Sequence, residues 1–260
     1  MLQSGIHRSR TLGVGQEFEQ YRRYAPGDDL RQVDWHLFAR SDQLHCRVQS
    51  PDTAARLAIV LDTSASMGYK GSSASCTKLH CACIVAACMG YLAERQGDVI
   101  GLFTYGQENL SLQQLSCNEL CQRLAELSPA GKSHSVESLS AACDYIRGRG
   151  IVVWLTDFLG EENTVETTLR AFQVSGKACY AIQILDSDEI DMPLHGARRF
   201  EDPEETRQIT TDPALIRADY ISRMEKFLKT IQQACLRQNV PLARFTSKDD
   251  LGRLLGKFLA

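Results

Sequence analysis

Short runs that are almost wholly apolar alternate along the chain with longer segments of mixed polarity. An uninterrupted apolar run is typical of a strand buried on both faces of a sheet, and apolar residues at helical spacing indicate an amphipathic helix. The runs occupy residues 57–61, 99–105, 151–155, 178–185 and 242–245, and the helical segments occupy residues 78–96, 117–127, 135–147, 161–174, 213–238 and 247–259. This alternation predicts an α/β fold, a doubly wound and mainly parallel sheet with helices on both faces.

The first fifty residues are organised differently. They interleave arginines with aromatic residues, and Pro26-Gly27 predicts a turn that is followed by a helix. We predict that residues 1–50 form an N-terminal arm packed on a core of residues 51–260. The charged and aromatic side chains of the arm favour an internal network of ion pairs and cation–π contacts, with a recognition surface as the alternative. Within the core, residues 194–211 predict a small β-hairpin.

Composition is that of an ordinary soluble globular protein. Of the 260 residues, 43% are hydrophobic and 23% charged, and 29 basic and 32 acidic residues give a formal net charge of −3. That balance argues against a protein built around nucleic acid. The longest apolar run, residues 81–93, spans roughly 20 Å as a helix and is too short for a bilayer core of about 30 Å. The start of the chain lacks the apolar segment of a signal peptide.

The ten cysteines favour a reducing compartment. Most of them lie inside apolar stretches, where a free thiol behaves as a small buried hydrophobic group. A chain of this length does not need disulfides to stabilise its core, and no CxxC pair marks a soft-metal site. We therefore expect reduced thiols packed in the core and a cytoplasmic location.

Polar residues follow the strong strands at the place where open α/β sheets bind ligands, beyond the carboxyl ends of the strands. Asp62 comes directly after the first run, Ser64 and Ser66 follow at alternate positions, and Asp157 comes after the third run. Ser133 lies in a loop before a helix. Two carboxylates with several hydroxyls and room for water suit Mg²⁺, with Mn²⁺ or Ca²⁺ as alternatives. The opposing interpretation is a hydrogen-bonded loop that holds no ion.

The pattern Asp62-x-Ser64-x-Ser66 resembles the metal-ion-dependent adhesion site (MIDAS) of von Willebrand factor A domains. Ser133, in the sequence Gly-Lys-Ser, stands where that family usually has the Thr of Gly-Gly-Thr, and Asp157 matches the last residue of the site. The resemblance implies a von Willebrand A-like core of Rossmann-type topology. It also implies that the three serines coordinate a metal directly and that the two aspartates act largely through water.

A second resemblance covers essentially the whole chain. The stretch from Pro26-Gly-Asp-Asp29 to Asp34-Trp35, and the later Asp202-Pro-Glu204, resemble the bacterial family called domain of unknown function 58. Members of that family look like partners of MoxR-type AAA+ ATPases. The resemblance implies an interaction module, and no enzymatic activity follows from it. We therefore expect that the chain is not an enzyme. Such an adaptor would help to assemble or activate other complexes, and its Mg²⁺ would take a carboxylate from a protein partner.

An enzymatic alternative is a Mg²⁺-dependent phosphohydrolase that uses Asp62 as its nucleophile. Haloacid-dehalogenase-like enzymes need a second Asp two residues later, where this chain has Ser64, and Lys132 is the one lysine at an obvious phosphate-clamping position. Nucleotide binding on a Rossmann-like sheet is disfavoured because residues 62–67 contain no glycine. The four acids within residues 186–191 predict a solvated or capping loop.

Overall fold

The computed structural model describes residues 20–23, 43, 45–48, 54–146, 148–160, 165–204, 208–247 and 249. The chain divides into two compact units, Met1–Ala54 and Ala55–Ala260. In the first unit, β1 (Gln20–Arg23) pairs antiparallel with β2 (His45–Val48). The helix predicted after the Pro-Gly turn and most of the closing helix lie outside the described residues, and the packing of the arm on the core stays a prediction.

One six-stranded sheet dominates the described part of the second unit. Its strands are β3 (Arg56–Asp62), β4 (Val99–Tyr105), β5 (Ser111–Leu115), β6 (Gly150–Thr156), β7 (Ala178–Leu185) and β10 (Leu242–Thr246). Their spatial order is β10-β7-β6-β3-β4-β5. Neighbouring strands are parallel except for β4 with β5. From β3 the chain first adds strands on one side and then, from β6 onward, on the other. The crevice where such a sheet binds ligands therefore lies between the carboxyl ends of β3 and β6.

Helices cover both faces of this sheet. They are α1 (Lys78–Arg95), α2 (Cys117–Glu126), α3 (Val136–Tyr145), α4 (Val165–Ser175), the short α5 (Ser187–Asp191) and α6 (Pro213–Arg237). Strand residues alternate between the faces, so that Ile59 packs with α1 and α2, whereas Val60 and Trp154 pack with α3, α4 and α6. The predicted fold class is confirmed, because the sheet is mainly parallel and helices pack on both of its faces.

The predicted helices and strands that the structure describes lie within two residues of their predicted bounds, except at the start of α4, where residues 161–164 lie outside the described residues. The closing helix was predicted to begin at residue 247, but Ser247 lies in a turn. The predicted hairpin is present as β8 (Arg198–Glu201), which pairs antiparallel with β9 (Gln208–Thr211). The five-residue helix α5 was not predicted, because a single turn is too short to show a helical period.

Candidate metal centre

Strands β3 and β6 lie side by side, so the residues that end them meet at the carboxyl edge of the sheet. Asp62 ends β3, and Asp157 directly follows β6. Thr156, the last residue of β6, donates its hydroxyl to Asp62 Oδ2 at 2.7 Å. Neither carboxylate side chain is exposed to solvent. The parallel pairing of two apolar strands thus buries two acidic side chains near one another.

The turn after β6 fixes one oxygen of Asp157. Phe158 has a φ of +64°, which bulky residues rarely adopt, and its ring packs edge-on against Trp154 with centroids 4.8 Å apart. This backbone brings the Leu159 N–H to Asp157 Oδ1 at 2.8 Å. The second oxygen, Oδ2, accepts the hydroxyl of Ser66 at 3.0 Å. The carboxylate is therefore held by the backbone on one side and by a serine on the other.

The segment after β3 presents two serine hydroxyls beside the carboxylates. Ser64 precedes a 3₁₀ turn at Ala65–Gly68, and its N–H donates to Asp62 Oδ1 at 2.8 Å. Ser64 Oγ lies 3.1 Å from Ser66 Oγ. Alternate residues of this segment therefore point to one side, as their spacing predicts, and they join the two aspartates in one hydrogen-bonded cluster.

A separate loop brings Ser133 to the same cluster. Two glycines with positive φ allow the backbones to approach closely, and a Cβ at either would collide. At Gly106 (φ +120°) a Cβ would lie 2.5 Å from Ser64 N, and at Gly131 (φ +78°) it would lie 2.4 Å from the Gly106 carbonyl oxygen. Ser133 Oγ donates to Asp62 Oδ2 at 3.4 Å, a longer contact than the others. All five predicted residues therefore come together, and we call them the candidate centre.

The β8–β9 hairpin also reaches this loop. Glu204, which follows β8, accepts the N–H of Ser133 through Oε2 at 3.3 Å. Its other oxygen, Oε1, is buried and has no hydrogen-bond partner among the described residues. The Asp202-Pro-Glu204 segment that carries part of the family resemblance is thus a direct neighbour of the candidate centre.

Asp62 carries the poorly compensated charge of the candidate centre. Within the described part of the chain, no basic side chain pairs with it. Burial, and then the neighbouring charge of Asp157, raise the pKa of Asp62 to about 7, although hydrogen bonds from Ser64 and Thr156 act in the opposite direction. A buried carboxylate in this state is stabilised by a proton or by a cation.

Asp157, in contrast, already has a cationic partner. Lys78, the first residue of α1, is 2% exposed, and its ammonium contacts Asp157 Oδ2 at 2.7 Å and Glu189 Oε1 at 2.6 Å. Burial lowers the pKa of Lys78, but the two neighbouring carboxylates raise it by more. The pKa therefore lies above its ordinary value, and the side chain stays charged. No pattern in the sequence marks this lysine, because a basic residue at a helix end is typically solvated.

The acids after β7 form an ordered turn, and the prediction of a solvated loop there is wrong. Asp186 and Asp188 are buried. Asp186 accepts the N–H of Gly71 at 2.9 Å and Asp188 accepts the N–H of Ser72 at 2.7 Å, and these bonds offset the cost of burying the two carboxylates. Asp186 also forms a capping box with Glu189 at the start of α5, which confirms the capping half of the prediction. The spacing Asp-x-x-Glu is the signal that indicates this cap. We call Asp186, Asp188 and Glu189 the acidic turn.

The donor set of the candidate centre suits a hard divalent cation. It offers only oxygen, from two carboxylates and three hydroxyls, which is the ligand chemistry of Mg²⁺, Mn²⁺ and Ca²⁺. Across the described ranges, no three His, Cys, Asp or Glu side chains are grouped as a metal site. Binding of an ion at the candidate centre would therefore depend on the serine hydroxyls. The positive charge of the ion would compensate the negative charge of Asp62.

The described cysteines are free thiols. Cys81 belongs to the core layer under α1, and Cys179 and Cys235 belong to the opposite layer. Burial raises the pKa of Cys235 to about 11 and keeps such thiols protonated. The prediction of thiols packed in the core is confirmed for these residues, whereas Cys121 is exposed.

Comparison with known families agrees with the pattern found in the sequence. A family model described as protein of unknown function DUF58 matches residues 20–228. The chain belongs to the DUF58 family. An uncharacterized protein of Mycobacterium tuberculosis is similar to this DUF58 chain, with 29% identity over 221 residues that cover 81% of this chain and 68% of that protein.

Solved structures resemble this DUF58 chain in fold. BatB from Bacteroides thetaiotaomicron matches with a TM-score of 0.51 and 15% identity, over 79% of this chain and 96% of that chain. The VWA domain of SpRpn10 matches with a TM-score of 0.47 and 12% identity, over 79% of this chain and 95% of that chain. Among the described residues, every helix is too short or too polar to cross a bilayer.

Proposed function

We propose that this chain is a Mg²⁺-dependent protein-interaction module and not an enzyme. It would work with a MoxR-type AAA+ ATPase in assembling or activating other protein complexes. In this proposal the candidate centre is a MIDAS, in which Ser64, Ser66 and Ser133 bind the ion and Asp62 and Asp157 hold it largely through water. A protein partner supplies the carboxylate of an Asp or Glu as a further ligand.

The observation that carries the proposal is the convergence of the other four side chains of the candidate centre around the buried Asp62, which has no cationic partner among the described residues. Ser66, Ser133 and Thr156 all donate hydroxyls within this cluster. Because hydroxyl ligands carry no charge, a bound divalent ion keeps much of its own charge and attracts an anionic ligand. A carboxylate is the anionic group that an unmodified protein surface offers.

The surroundings of Asp62 favour binding over phosphoryl chemistry. A nucleophilic carboxylate needs a lone pair directed at its substrate. Here Oδ1 accepts the N–H of Ser64, and Oδ2 accepts the hydroxyls of Thr156 and Ser133, so that donors among the described residues occupy three of the four lone-pair sites of this carboxylate. Lys78 is buried on two carboxylates, which leaves it badly placed to clamp a phosphate group.

Metal binding is tested by titrating the chelator-treated protein with Mn²⁺ and following the EPR signal of the free ion. We expect saturable binding that Mg²⁺ displaces, and a loss of affinity of about ten-fold or more in Asp62→Ala. Asp144→Asn removes an exposed carboxylate on α3 and is the matched control. A wild-type protein that binds Mn²⁺ no better than Asp62→Ala contradicts the proposal.

Partner binding is tested by calorimetry with a purified MoxR-type ATPase from the source organism. Such an ATPase uses Mg²⁺ itself, so Asp62→Ala and Ser66→Ala take the place of a chelator. We expect both variants to lose affinity for the ATPase while Asp144→Asn retains it, and equal affinity in all of them excludes the candidate centre from the interface. Phosphate release from p-nitrophenyl phosphate by the wild type, lost in Asp62→Asn, would instead favour the phosphohydrolase.

A further inference from the structure

We propose that Lys78 is the resident counter-ion of the candidate centre, and that its ammonium holds down the affinity of the centre for a divalent cation by occupying Asp157. The ion then depends on Asp62 and on a carboxylate from outside the chain. This inference rests on the proposed function and deepens it, because it names the residue that makes ion binding depend on the partner.

The geometry places the ammonium inside the cluster. The Lys78 side chain is 1% exposed, and its Nζ lies 2.7 Å from Asp157 Oδ2. The same oxygen accepts the hydroxyl of Ser66 at 3.0 Å. A serine that is a candidate metal ligand and a lysine therefore share one acceptor atom, so any ion bound by Ser66 lies close to a fixed positive charge.

A second carboxylate fixes the position of this charge. Glu189 Oε1 lies 2.6 Å from Lys78 Nζ, and Glu189 is itself held by the N–H of Asp186, which its Oε2 accepts at 2.9 Å. Tyr220 donates its hydroxyl to the Glu189 carbonyl oxygen at 2.7 Å. The ammonium therefore cannot swing away freely when an ion arrives, as an exposed lysine would.

The two halves of the candidate centre consequently differ. Asp157 is paired with the ammonium of Lys78, whereas in the part of the chain that the structure describes Asp62 has hydrogen bonds and no ion pair. Like charges at short range in a buried site repel strongly. The repulsion from Lys78 weakens ion binding in the free protein, and an incoming carboxylate offsets it. Ion and partner then bind tightly only together.

The test measures Mn²⁺ affinity by EPR in Lys78→Met and in Lys78→Met/Glu189→Gln. The double variant removes both members of the buried pair and avoids a stranded Glu189 carboxylate, which protects the fold if the single variant fails. We expect both variants to bind Mn²⁺ about ten-fold more tightly than the wild type without any partner. Lys78→Arg retains the charge and should keep the wild-type affinity.

If Lys78 had only a structural role, its loss would not tighten Mn²⁺ binding. Losing the lysine would loosen Asp157 and leave Mn²⁺ affinity unchanged or weaker, and that result in a variant with a native near-ultraviolet circular dichroism spectrum overturns the inference. Glu189→Gln is the matched control, because it leaves the ammonium on Asp157 and should not tighten binding. Tightening in Glu189→Gln alone would also contradict the role of Lys78.

The outcomes separate this inference from the proposed function. If the wild type binds Mn²⁺ and the Lys78 variants bind it no more tightly, the metal-dependent module stands and the counter-ion role fails. If the wild type does not bind Mn²⁺ and the Lys78→Met variants do, the proposed function fails. The counter-ion role then stands, with the ammonium of Lys78 in place of the divalent ion. Binding by none of them overturns both.

Discussion

Two groups of acidic side chains lie at the carboxyl edge of the sheet, and the fold completes them in different ways. In the acidic turn, both oxygens of Asp186 accept backbone N–H groups, Oδ2 from Gly71 and Oδ1 from Asp188. In the candidate centre, Asp62 accepts one backbone N–H, and its other donors are hydroxyls. A backbone N–H offers a proton and nothing else, whereas a hydroxyl that rotates also offers a lone pair to a cation. Asp186 is therefore satisfied by the fold, whereas the hydroxyls around Asp62 leave lone pairs for the ion that we propose there.

Lys78 joins these two regions. It contacts Asp157 of the candidate centre and Glu189 of the acidic turn with nearly equal distances. The acidic turn therefore positions the charge that faces the candidate centre. A change in one region is expected to reach the other through this lysine, and the sharpest tests are variants that affect only one of them.

The largest effect is expected in the acidic turn. Asp186→Ala removes the cap of α5 and the acceptor of the buried Gly71 N–H, and we expect a loss of about 3 kcal/mol in the free energy of unfolding. The loss should be the same in Mg²⁺ and in EDTA, measured by urea denaturation. Asp212→Ala removes a more exposed cap at α6 and should cost about 1 kcal/mol. A loss for Asp186→Ala that appears only in EDTA would make the turn a metal site.

A comparable loss of stability is expected at Gly131, where the loop that carries Ser133 packs against the backbone of Gly106. Gly131→Ala places a Cβ 2.4 Å from a backbone oxygen at positive φ, and we expect it to cost about 3 kcal/mol and to weaken Mn²⁺ binding. Gly97→Ala has nearly the same φ, +79°, with nothing within 4 Å, and should cost about 1 kcal/mol without any change in Mn²⁺ binding. Equal behaviour of the two variants contradicts a role for the close approach.

The alternation of apolar runs and helical segments was enough to predict the sheet, since the central strands are buried on both faces and read as continuous apolar stretches. The strand ends then placed Asp62 and Asp157 together, because parallel neighbours end at the same edge. The spacing of Ser64 and Ser66 likewise predicted that their hydroxyls lie on one side of the segment, as they do. These placements were predictable because each depends on local pattern and on sheet topology alone, and metal binding by these residues stays a prediction.

Residues that act through contacts distant in sequence were not predictable. Lys78 meets Glu189 across 111 residues, and the burial of Asp186 depends on Gly71, 115 residues earlier. A buried lysine and a solvated one have the same local sequence, because burial is decided by what packs on them. The Asp186-x-x-Glu189 cap was visible in the sequence, but the loop that covers it was not.

A smaller effect with the opposite sign is expected at the candidate centre. Asp62 ionises at an ordinary pKa of 3.8 in the unfolded chain and at about 7 in the folded protein, so the folded state holds the extra proton between these values. Stability in EDTA should therefore fall as pH rises from about 4 to 7 and stay low above 7. At pH 8 we expect Asp62→Asn to be more stable than the wild type by about 2 kcal/mol.

This stabilisation is measured by urea denaturation at pH 5 and pH 8. It should shrink at pH 5, where Asp62 is protonated in the folded protein, and in Mg²⁺, which stabilises only the wild type. Asp186→Ala provides the contrast, since it loses stability under the same conditions. An Asp62→Asn variant that is less stable than the wild type at pH 8 would mean that the carboxylate is already satisfied within the fold.

The smallest effect is expected from single hydroxyls, one in each region. Ser66→Ala removes a donor to Asp157 Oδ2, and we expect Mn²⁺ affinity to fall about ten-fold, which corresponds to about 1.4 kcal/mol, with little change in stability because water replaces a partly exposed hydroxyl. Ser72→Ala removes a donor to Asp188 Oδ2 at 2.8 Å and should leave Mn²⁺ affinity unchanged. If both variants bind Mn²⁺ like the wild type, the serine hydroxyls are hydrogen-bond donors only, and the two regions are alike.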